Sequence, residues 1–139
     1  MLHKALLDVN ICLDVLLDRK PHVTNAGRIL EAAEKGKIEA YISSIAFDTL
    51  FYIMRSNMEG KEAIRKLRLL RKHIHIAGTD EGAVDHALNS GWGDFEDALH
   101  YFSAVFAGCD SIVTRNPADF KAREIPVYIP EEFISEVLS

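Results

Sequence analysis

The sequence contains only two cysteines, Cys12 and Cys109, and neither belongs to a CxxC pair or to a Cys/His cluster with the spacing of a metal site. Both lie in apolar stretches, so we expect them to be buried free thiols in a protein of a reducing compartment. A domain held together by disulfides and a zinc-binding domain of the common kinds are therefore disfavoured.

Long apolar runs are missing as well. No segment approaches the ~20 apolar residues that cross a bilayer, and the start, MLHKALLDVN, has neither the basic head nor the small-residue cleavage site of a signal peptide. We also find no internal repeat, low-complexity tract or linker rich in proline, glycine or serine. We therefore expect a single cytoplasmic domain over residues 1–139, large enough for its own hydrophobic core.

The charge balance is acidic, with 16 basic and 21 acidic residues and a net charge of -5. An acidic chain is at first a poor candidate for binding nucleic acid. However, one stretch gathers seven of the 16 basic residues: Arg55, Lys61, Arg65, Lys66, Arg68, Arg71 and Lys72. This stretch is either the solvated face of a helix or a local edge that binds phosphate, with Arg65 and Arg68 as candidate RNA contacts.

Strand-like and helix-like segments alternate along the chain. The predicted strands span 4–8, 39–42, 74–77, 111–114 and 126–129, and the predicted helices span 10–17, 24–35, 43 or 44 to 57, 61–71, 79–90, 94–107 and 130 onwards. Ser43 or Ser44 is the expected cap of the third helix, and Thr79 that of the fifth. This order favours a three-layer α/β/α domain with a mainly parallel central sheet.

Polar residues follow two of the predicted strands. Asp8 ends the first strand, and Thr114, Arg115 and Asn116 end a later one. Parallel sheets of this kind bind ligands outside the carboxyl ends of their strands. A carboxylate at the end of an apolar strand is either paired or functional, because burying a lone charge is costly.

Asp94 and Asp97 stand three residues apart at the start of a predicted helix, so their side chains share a face. The partial positive charge of a helix amino terminus accounts for one acidic residue there without any function. Several acids brought to one edge of the sheet, however, favour a site for Mg²⁺ or Mn²⁺, which prefer carboxylate and water oxygens.

Four segments occur in an order and spacing similar to those of PIN domains: LLDVN at 6–10, SSIAFDTLFYI at 43–53, DFEDAL at 94–99 and IVTRNPADF at 112–120. The likeness extends from residue 2 to about residue 137, and is greatest to the toxin ribonucleases of VapBC-type toxin–antitoxin pairs. It implies an endoribonuclease in which three or four acids hold one or two Mg²⁺ or Mn²⁺ ions that activate water to cleave RNA. It further implies a small antitoxin partner and a homodimer.

The resemblance also assigns roles to individual residues. Asp8 matches the aspartate of the first strand in PIN domains, and Asn10 a polar partner that contacts metal-bound water. Asp97 matches the aspartate of the central helix. Where the family often has an acid after Thr-Arg, this chain has Asn116, with Asp119 three residues later; these residues and Thr114 are expected to support the site.

The chain departs from the family at a second position. The glutamate of the family's second acidic helix corresponds to Thr49, and the preceding Asp48 is turned from that position by ~100° on a helix. Asp48 either stands in for the glutamate imperfectly or is a surface residue; both Asp48 and Thr49 are counted among the residues expected to support the site. Asp94 then becomes the expected third catalytic and metal-binding acid beside Asp8 and Asp97. The alternative function is a PIN-fold module that binds RNA or protein without cleaving it.

Other side chains near these motifs have two interpretations each. Arg115 either contacts the RNA backbone or forms a salt bridge in its loop. Trp92, between two glycines, either stacks on an unpaired base or closes the loop as a hydrophobic plug. His100 is expected to make a structural hydrogen bond rather than to act in acid–base chemistry, and His73 and His75 to form an exposed pair on a strand rather than a zinc site.

Three other classes with acidic or phosphate-binding strand edges lack their characteristic residues. A phosphoacceptor receiver domain requires a lysine at the end of a late strand, and the segments IVTRN and VYIP supply none. A DxD phosphatase requires aspartate where this chain has Asn10. A dinucleotide-binding fold requires a glycine-rich turn after the first strand, and DVNICL contains no glycine.

Overall fold

Five parallel strands form the centre of the computed structural model, which describes residues 1–121 and 124–139. They are β1 (Lys4–Leu7), β2 (Glu39–Ser43), β3 (Ile74–Ala77), β4 (Ser111–Val113) and β5 (Val127–Tyr128), in the order β3-β2-β1-β4-β5. The two central pairings place Leu6 opposite Tyr41 on one side and opposite Ile112 on the other. The predicted parallel sheet is confirmed, and all five predicted strands are present.

Seven α-helices connect or follow the strands in the described part of the chain. They are α1 (Val9–Leu16), α2 (Val23–Glu34), α3 (Ala46–Met54), α4 (Gly60–Arg71), α5 (Glu81–Leu88), α6 (Phe95–Phe106) and α7 (Pro130–Phe133). A short 3₁₀ helix spans Pro117–Asp119, and a π-helical segment, Ile134–Leu138, continues α7. Each helix predicted from the apolar periodicity is present, with ends shifted by a few residues.

The helices cover both faces of the sheet, because successive side chains of a strand point in opposite directions. Leu7 belongs to a core with side chains of α1, α2, α3 and α4, such as Ile11 and Leu50. Its neighbour Leu6 belongs to a second core with side chains of α5 and α6, such as Tyr101. The three-layer α/β/α architecture is therefore confirmed.

The predicted cap of α3 is wrong. The residue before α3 is Ile45, which makes no capping hydrogen bond through its side chain. The Ser43 hydroxyl lies 2.5 Å from Nδ1 of His100, and the Ser44 hydroxyl accepts a hydrogen bond from the backbone N–H of Thr79 at 3.0 Å. Both serines thus bind neighbouring elements at the edge of the sheet instead of their own helix.

The predicted cap of α5 is wrong by one residue. Asp80 caps this helix, its Oδ1 accepting a hydrogen bond from the backbone N–H of Ala83 at 3.1 Å. The Thr79 hydroxyl instead lies 2.7 Å from the hydroxyl of Ser103 on α6. An aspartate also suits the positive end of a helix better than a threonine does.

Both cysteines are buried and unpaired, as expected. Burial is the main cause that raises the pKa of Cys12 and of Cys109 to about 12, so neither is a thiolate near neutral pH. Within residues 1–121 and 124–139, no helix has the length and apolar character needed to cross a membrane.

Candidate active site

Asp8 lies at the carboxyl end of the central strand β1 and caps α1. Its Oδ1 accepts a hydrogen bond from the backbone N–H of Val9 at 2.8 Å, and its Oδ2 accepts one from the Thr114 hydroxyl at 3.0 Å. Burial raises the pKa of Asp8, and the Thr114 hydrogen bond, the charge of His100 and the Val9 N–H oppose that rise. The carboxylate is therefore held in one orientation where β1 and β4 end.

Asp97 occupies the first turn of α6 and is partly buried. Asp94 caps this helix, and its Oδ1 accepts a hydrogen bond from the backbone N–H of Asp97 at 3.0 Å. Burial, followed by the negative charges of Asp94, Asp119, Asp8 and Glu96, raises the pKa of Asp97 from 3.8 to about 6. The fold thus gathers the predicted acids Asp8, Asp94, Asp97 and Asp119, from three separate parts of the chain, around one edge.

The loop after β4 supplies the other predicted supporting residues. Thr114 is buried, and besides donating to Asp8 its hydroxyl accepts a hydrogen bond from the backbone N–H of Asn116 at 3.1 Å. Asn116 is exposed, and its backbone carbonyl accepts a hydrogen bond from the backbone N–H of Asp119 at 3.1 Å. This turn places the Asp119 charge where it acts on both Asp8 and Asp97.

These acids form a donor set that suits a hydrated divalent cation. Within the described residues, no basic side chain forms an ion pair with Asp8, Asp94, Asp97 or Asp119, although the charge of His100 lowers the pKa of Asp8. In the same part of the chain, no group of three or more acidic, histidine or cysteine side chains is close enough to enclose a metal ion. Mg²⁺ is commonly held by one or two carboxylates while it keeps several waters, and the arrangement fits that mode of binding.

Asp48 and Thr49 lie in the first turn of α3, which follows the carboxyl end of β2. Asp48 is exposed and Thr49 is half-buried. Asp48 is not among the principal charges that shift the pKa of Asp8 or Asp97.

Asn10, through Arg19, and Arg115 are both connected to Asp14, which is not among the predicted site residues. Oδ1 of Asn10 accepts a hydrogen bond from Arg19 at 3.2 Å, and Arg115 forms an ion pair with Asp14 at 3.1 Å. Of the two interpretations of Arg115, the structure therefore shows the salt bridge. Asp14 could have been recognised from the sequence as an unusual residue, because it is an acid inside the apolar stretch ICLDVLL, which forms most of α1.

The basic stretch on α4 lies apart from the acids within one chain. Arg65 pairs with Glu62 on the exposed surface at 2.5 Å. Arg68 is in the last turn of α4, which ends at Arg71 just before β3 begins, and thus near the amino edge of the sheet. Asp8 is at the opposite, carboxyl edge. The predicted RNA contacts of Arg65 and Arg68 are not brought to Asp8 by this fold.

The aromatic and histidine side chains near the site have structural contacts. His100 is buried, with Nδ1 at 2.5 Å from the Ser43 hydroxyl and Nε2 at 3.4 Å from Glu96, which agrees with the expected structural hydrogen bond. Trp92 packs its ring 5.3 Å from that of Tyr101 and 6.1 Å from that of Phe120. Trp92 is thus the hydrophobic plug of its loop.

His73 and His75 are both exposed, as expected, but only His75 belongs to β3. His73 immediately precedes the strand. The ring of His75 stacks on that of Tyr41 from the neighbouring strand β2, with centroids 5.0 Å apart.

Comparison with known proteins identifies the family. The model of the PIN domain family matches residues 4–118, so the chain belongs to the PIN domain family. No curated protein matches the sequence at a significant level.

Solved structures share this fold at low sequence identity. A toxin–antitoxin complex from Klebsiella pneumoniae has 22% identity and a TM-score of 0.70, covering 91% of this chain and 97% of that one. FitAcB from Neisseria gonorrhoeae has 19% identity and a TM-score of 0.67, covering 91% and 98%. VapBC2 from Rickettsia felis, bound to a DNA fragment from the promoter, has 18% identity and a TM-score of 0.66, covering 89% and 96%.

Proposed function

We propose that this protein is a cytoplasmic, Mg²⁺- or Mn²⁺-dependent endoribonuclease and the toxin of a toxin–antitoxin pair. The observation that carries the proposal is the group of carboxylates around Asp97, whose negative charges raise its pKa, at the carboxyl edge of a PIN-family sheet. Asp8 and Asp97 are the proposed metal ligands, either directly or through water. Asp94 contributes charge as a third acid while it caps α6.

The chain's own groups prepare this edge for a phosphodiester. Thr114 fixes the orientation of the Asp8 carboxylate, and Asp94 fixes the first turn of α6, from which Asp97 projects. When bound, Mg²⁺ or Mn²⁺ would lower the pKa of a coordinated water and stabilise negative charge on the phosphoryl oxygens. Asn116 and Asp119, in the loop after Thr114, are proposed to hydrogen-bond the water around the ion.

An RNA cleavage assay tests this proposal. The full chain is incubated with a mixed-sequence, fluorogenic single-stranded RNA in Mg²⁺, in Mn²⁺ and in EDTA. We expect cleavage that requires the metal and is lost in Asp8→Asn and Asp97→Asn, while Asp85→Asn on the exposed surface of α5 keeps it. Equal cleavage by wild type and Asp8→Asn, or full activity in EDTA, would rule out the metal-dependent site.

The second candidate is a PIN-fold module that binds RNA or protein without turnover. Thr49 and Asn116 favour it, because each stands where related proteins have an acid, and the described residues contain no ready group of three ligands. This function predicts that the fluorogenic RNA is retained in a binding assay but remains intact even at high Mn²⁺. Cleavage that is lost in Asp8→Asn would exclude it.

An antitoxin partner is supported by the matched solved structures, of which one is described as a toxin–antitoxin complex and another as VapBC2. The chain offers a groove of about 380 Å³ between α1, α2 and α4, and most of its lining is apolar, including Leu16, Leu30 and Leu69. We propose that an apolar segment of the antitoxin lies in this groove.

The groove is tested with a candidate antitoxin, sought among the products of the genes adjacent to this one. Both proteins are co-expressed and purified through a tag on the partner. Leu69→Asp should abolish co-purification, whereas Ile64→Asp, at a similarly exposed site on the same helix but outside the groove, should not. Retention of the Leu69→Asp variant would show that the partner binds elsewhere.

A homodimer is proposed from a different surface. Leu88, Phe95 and Phe106 are large apolar side chains on α5 and α6, and all three are substantially exposed, Leu88 by 66%. We propose that a second copy of the chain covers these exposed side chains. Light scattering should give the mass of a dimer for the wild type and of a monomer for Phe106→Asp; a monomeric wild type would contradict the proposal.

A further inference from the structure

Asp14 is a buried acid that takes no part in the proposed chemistry. It lies on α1, and only 1% of its side chain is exposed. Its Oδ2 is 3.1 Å from Nε of Arg115, and its Oδ1 is 3.8 Å from the guanidinium of Arg19. A buried carboxylate is tolerated only with such partners, because taking a charge out of water costs several kcal/mol. Asp14 therefore draws two guanidinium groups to one point on α1.

The first of these groups belongs to the loop that orients Asp8. Arg115 follows Thr114, whose hydroxyl donates to the Asp8 carboxylate. The Arg115 guanidinium also donates to Oδ1 of Asp14 at 3.3 Å, and its other terminal nitrogen is 3.1 Å from Nε2 of His22, just before α2. Asp14 and His22 thus hold the loop from two sides, one residue beyond the group that contacts Asp8.

The second guanidinium group, that of Arg19, contacts Asn10. The same nitrogen of Arg19 that faces Asp14 donates a hydrogen bond to Oδ1 of Asn10 at 3.2 Å. This contact uses the amide oxygen of Asn10 and leaves its NH₂ group to donate. An NH₂ group at this edge suits an acceptor such as a phosphate oxygen, whereas a metal ion would require the oxygen.

We propose that Asp14 is a positioning residue for the reaction, which rests on the proposed ribonuclease function. Through Arg115 it fixes the Thr114 loop on one side of Asp8, and through Arg19 it fixes the Asn10 amide on the other. Stability alone is a weak reason for this arrangement, because well-packed apolar residues commonly match or exceed a buried ion pair in stability. Asp14 thereby sets the geometry on both sides of Asp8 without touching RNA.

Two variants separate positioning from stability. Asp14→Asn removes the charge and leaves both guanidinium groups without their carboxylate. Asp14→Leu combined with Arg115→Met replaces the buried ion pair by apolar side chains, which should recover much of the lost thermal stability. Met54→Ala serves as the control, because Met54 is fully buried on α3 and its loss destabilises the core without removing any of the Asp14 contacts described above.

Four quantities are measured on the full chain of each variant. The first is the Tm. The others, measured below that Tm, are the affinity for Mn²⁺ from the fluorescence of Trp92, which is the chain's single tryptophan, and kcat and KM on the fluorogenic RNA. Loss of a group that orients metal ligands typically weakens metal binding or activity by about 10- to 100-fold. We expect such a loss of Mn²⁺ affinity or kcat in both Asp14 variants, and a low Tm with unchanged kcat in Met54→Ala.

Wild-type Mn²⁺ affinity and kcat in either folded Asp14 variant would overturn the positioning role and leave a structural ion pair. This result differs from failure of the proposed function, in which the wild type itself cleaves no RNA. In that case the Mn²⁺ affinities alone decide the role of Asp14 in the site. A wild type that neither binds Mn²⁺ nor cleaves RNA would overturn both.

Discussion

Replacing Asp97 with asparagine removes one charge from the acidic edge and nearly keeps the side-chain shape. In the metal-free protein, burial and the neighbouring acids raise the pKa of Asp97 from 3.8 to about 6. A carboxyl group whose pKa is higher in the folded chain stabilises the fold while it is protonated. This stabilisation is complete when the pH is below the ordinary pKa of 3.8, and it is lost as the pH rises through about 6.

The size of the effect follows from this pKa difference. A difference of about 2 corresponds to about 3 kcal/mol if it is fully expressed. Asp97 is partly exposed, so solvent screens the repulsion between the carboxylates. The amino terminus of α6 also attracts the Asp97 carboxylate. We therefore expect the ionised Asp97 to lower the free energy of unfolding by about 1 kcal/mol. Without metal at neutral pH, Asp97→Asn should therefore raise the Tm by about 3 °C.

Thermal unfolding followed by circular dichroism measures this effect across the acidic pH range, first in EDTA and then in Mn²⁺. In EDTA the advantage of Asp97→Asn over wild type should grow as the pH rises through about 6. In Mn²⁺ the order should reverse, because the ion stabilises the folded wild type by mass action. A lower Tm for Asp97→Asn in EDTA at neutral pH, or equal stabilisation of both proteins by Mn²⁺, would refute the reasoning.

Three further substitutions test individual contacts. Thr114→Val removes the hydrogen bond to Asp8, so the pKa of Asp8, followed by NMR, should rise further; an unchanged value would contradict this contact. Ser43→Ala leaves Nδ1 of buried His100 without its partner and should lower the free energy of unfolding, measured in urea, by about 1–3 kcal/mol. An unchanged free energy of unfolding would contradict this contact. Asp80→Ala removes the cap of α5 and should cost about 1 kcal/mol in the same assay, unlike Asp85→Ala further along the helix.

The parts of the fold that were predicted correctly depend on local patterns. Apolar periodicity identified the five strands and seven α-helices of the described residues, although not the short 3₁₀ helix Pro117–Asp119, because the face that a residue presents follows from its position in the element. The place of Asp8 followed from the rule that parallel strands end at one edge. Asp97 was found from its helical spacing to Asp94 and from the resemblance to PIN domains.

The incorrect or missing predictions concern contacts between distant parts of the chain. Ser43 was expected to cap its own helix, but its partner His100 is 57 positions away. Arg115 pairs with Asp14 across 101 positions. No local pattern reports such contacts, because they depend on how the loops of different strands meet at the edge of the sheet.

The most direct test of the central claim is a crystal structure of the protein grown with Mn²⁺, in which anomalous scattering locates the ion. We predict one strong anomalous peak between the carboxylates of Asp8 and Asp97, with waters completing the coordination of the ion. Crystals of Asp97→Asn grown under the same conditions should lack the peak. A wild-type crystal grown with Mn²⁺ that has no manganese at this edge, or has the ion bound elsewhere, would contradict the proposed metal-dependent site.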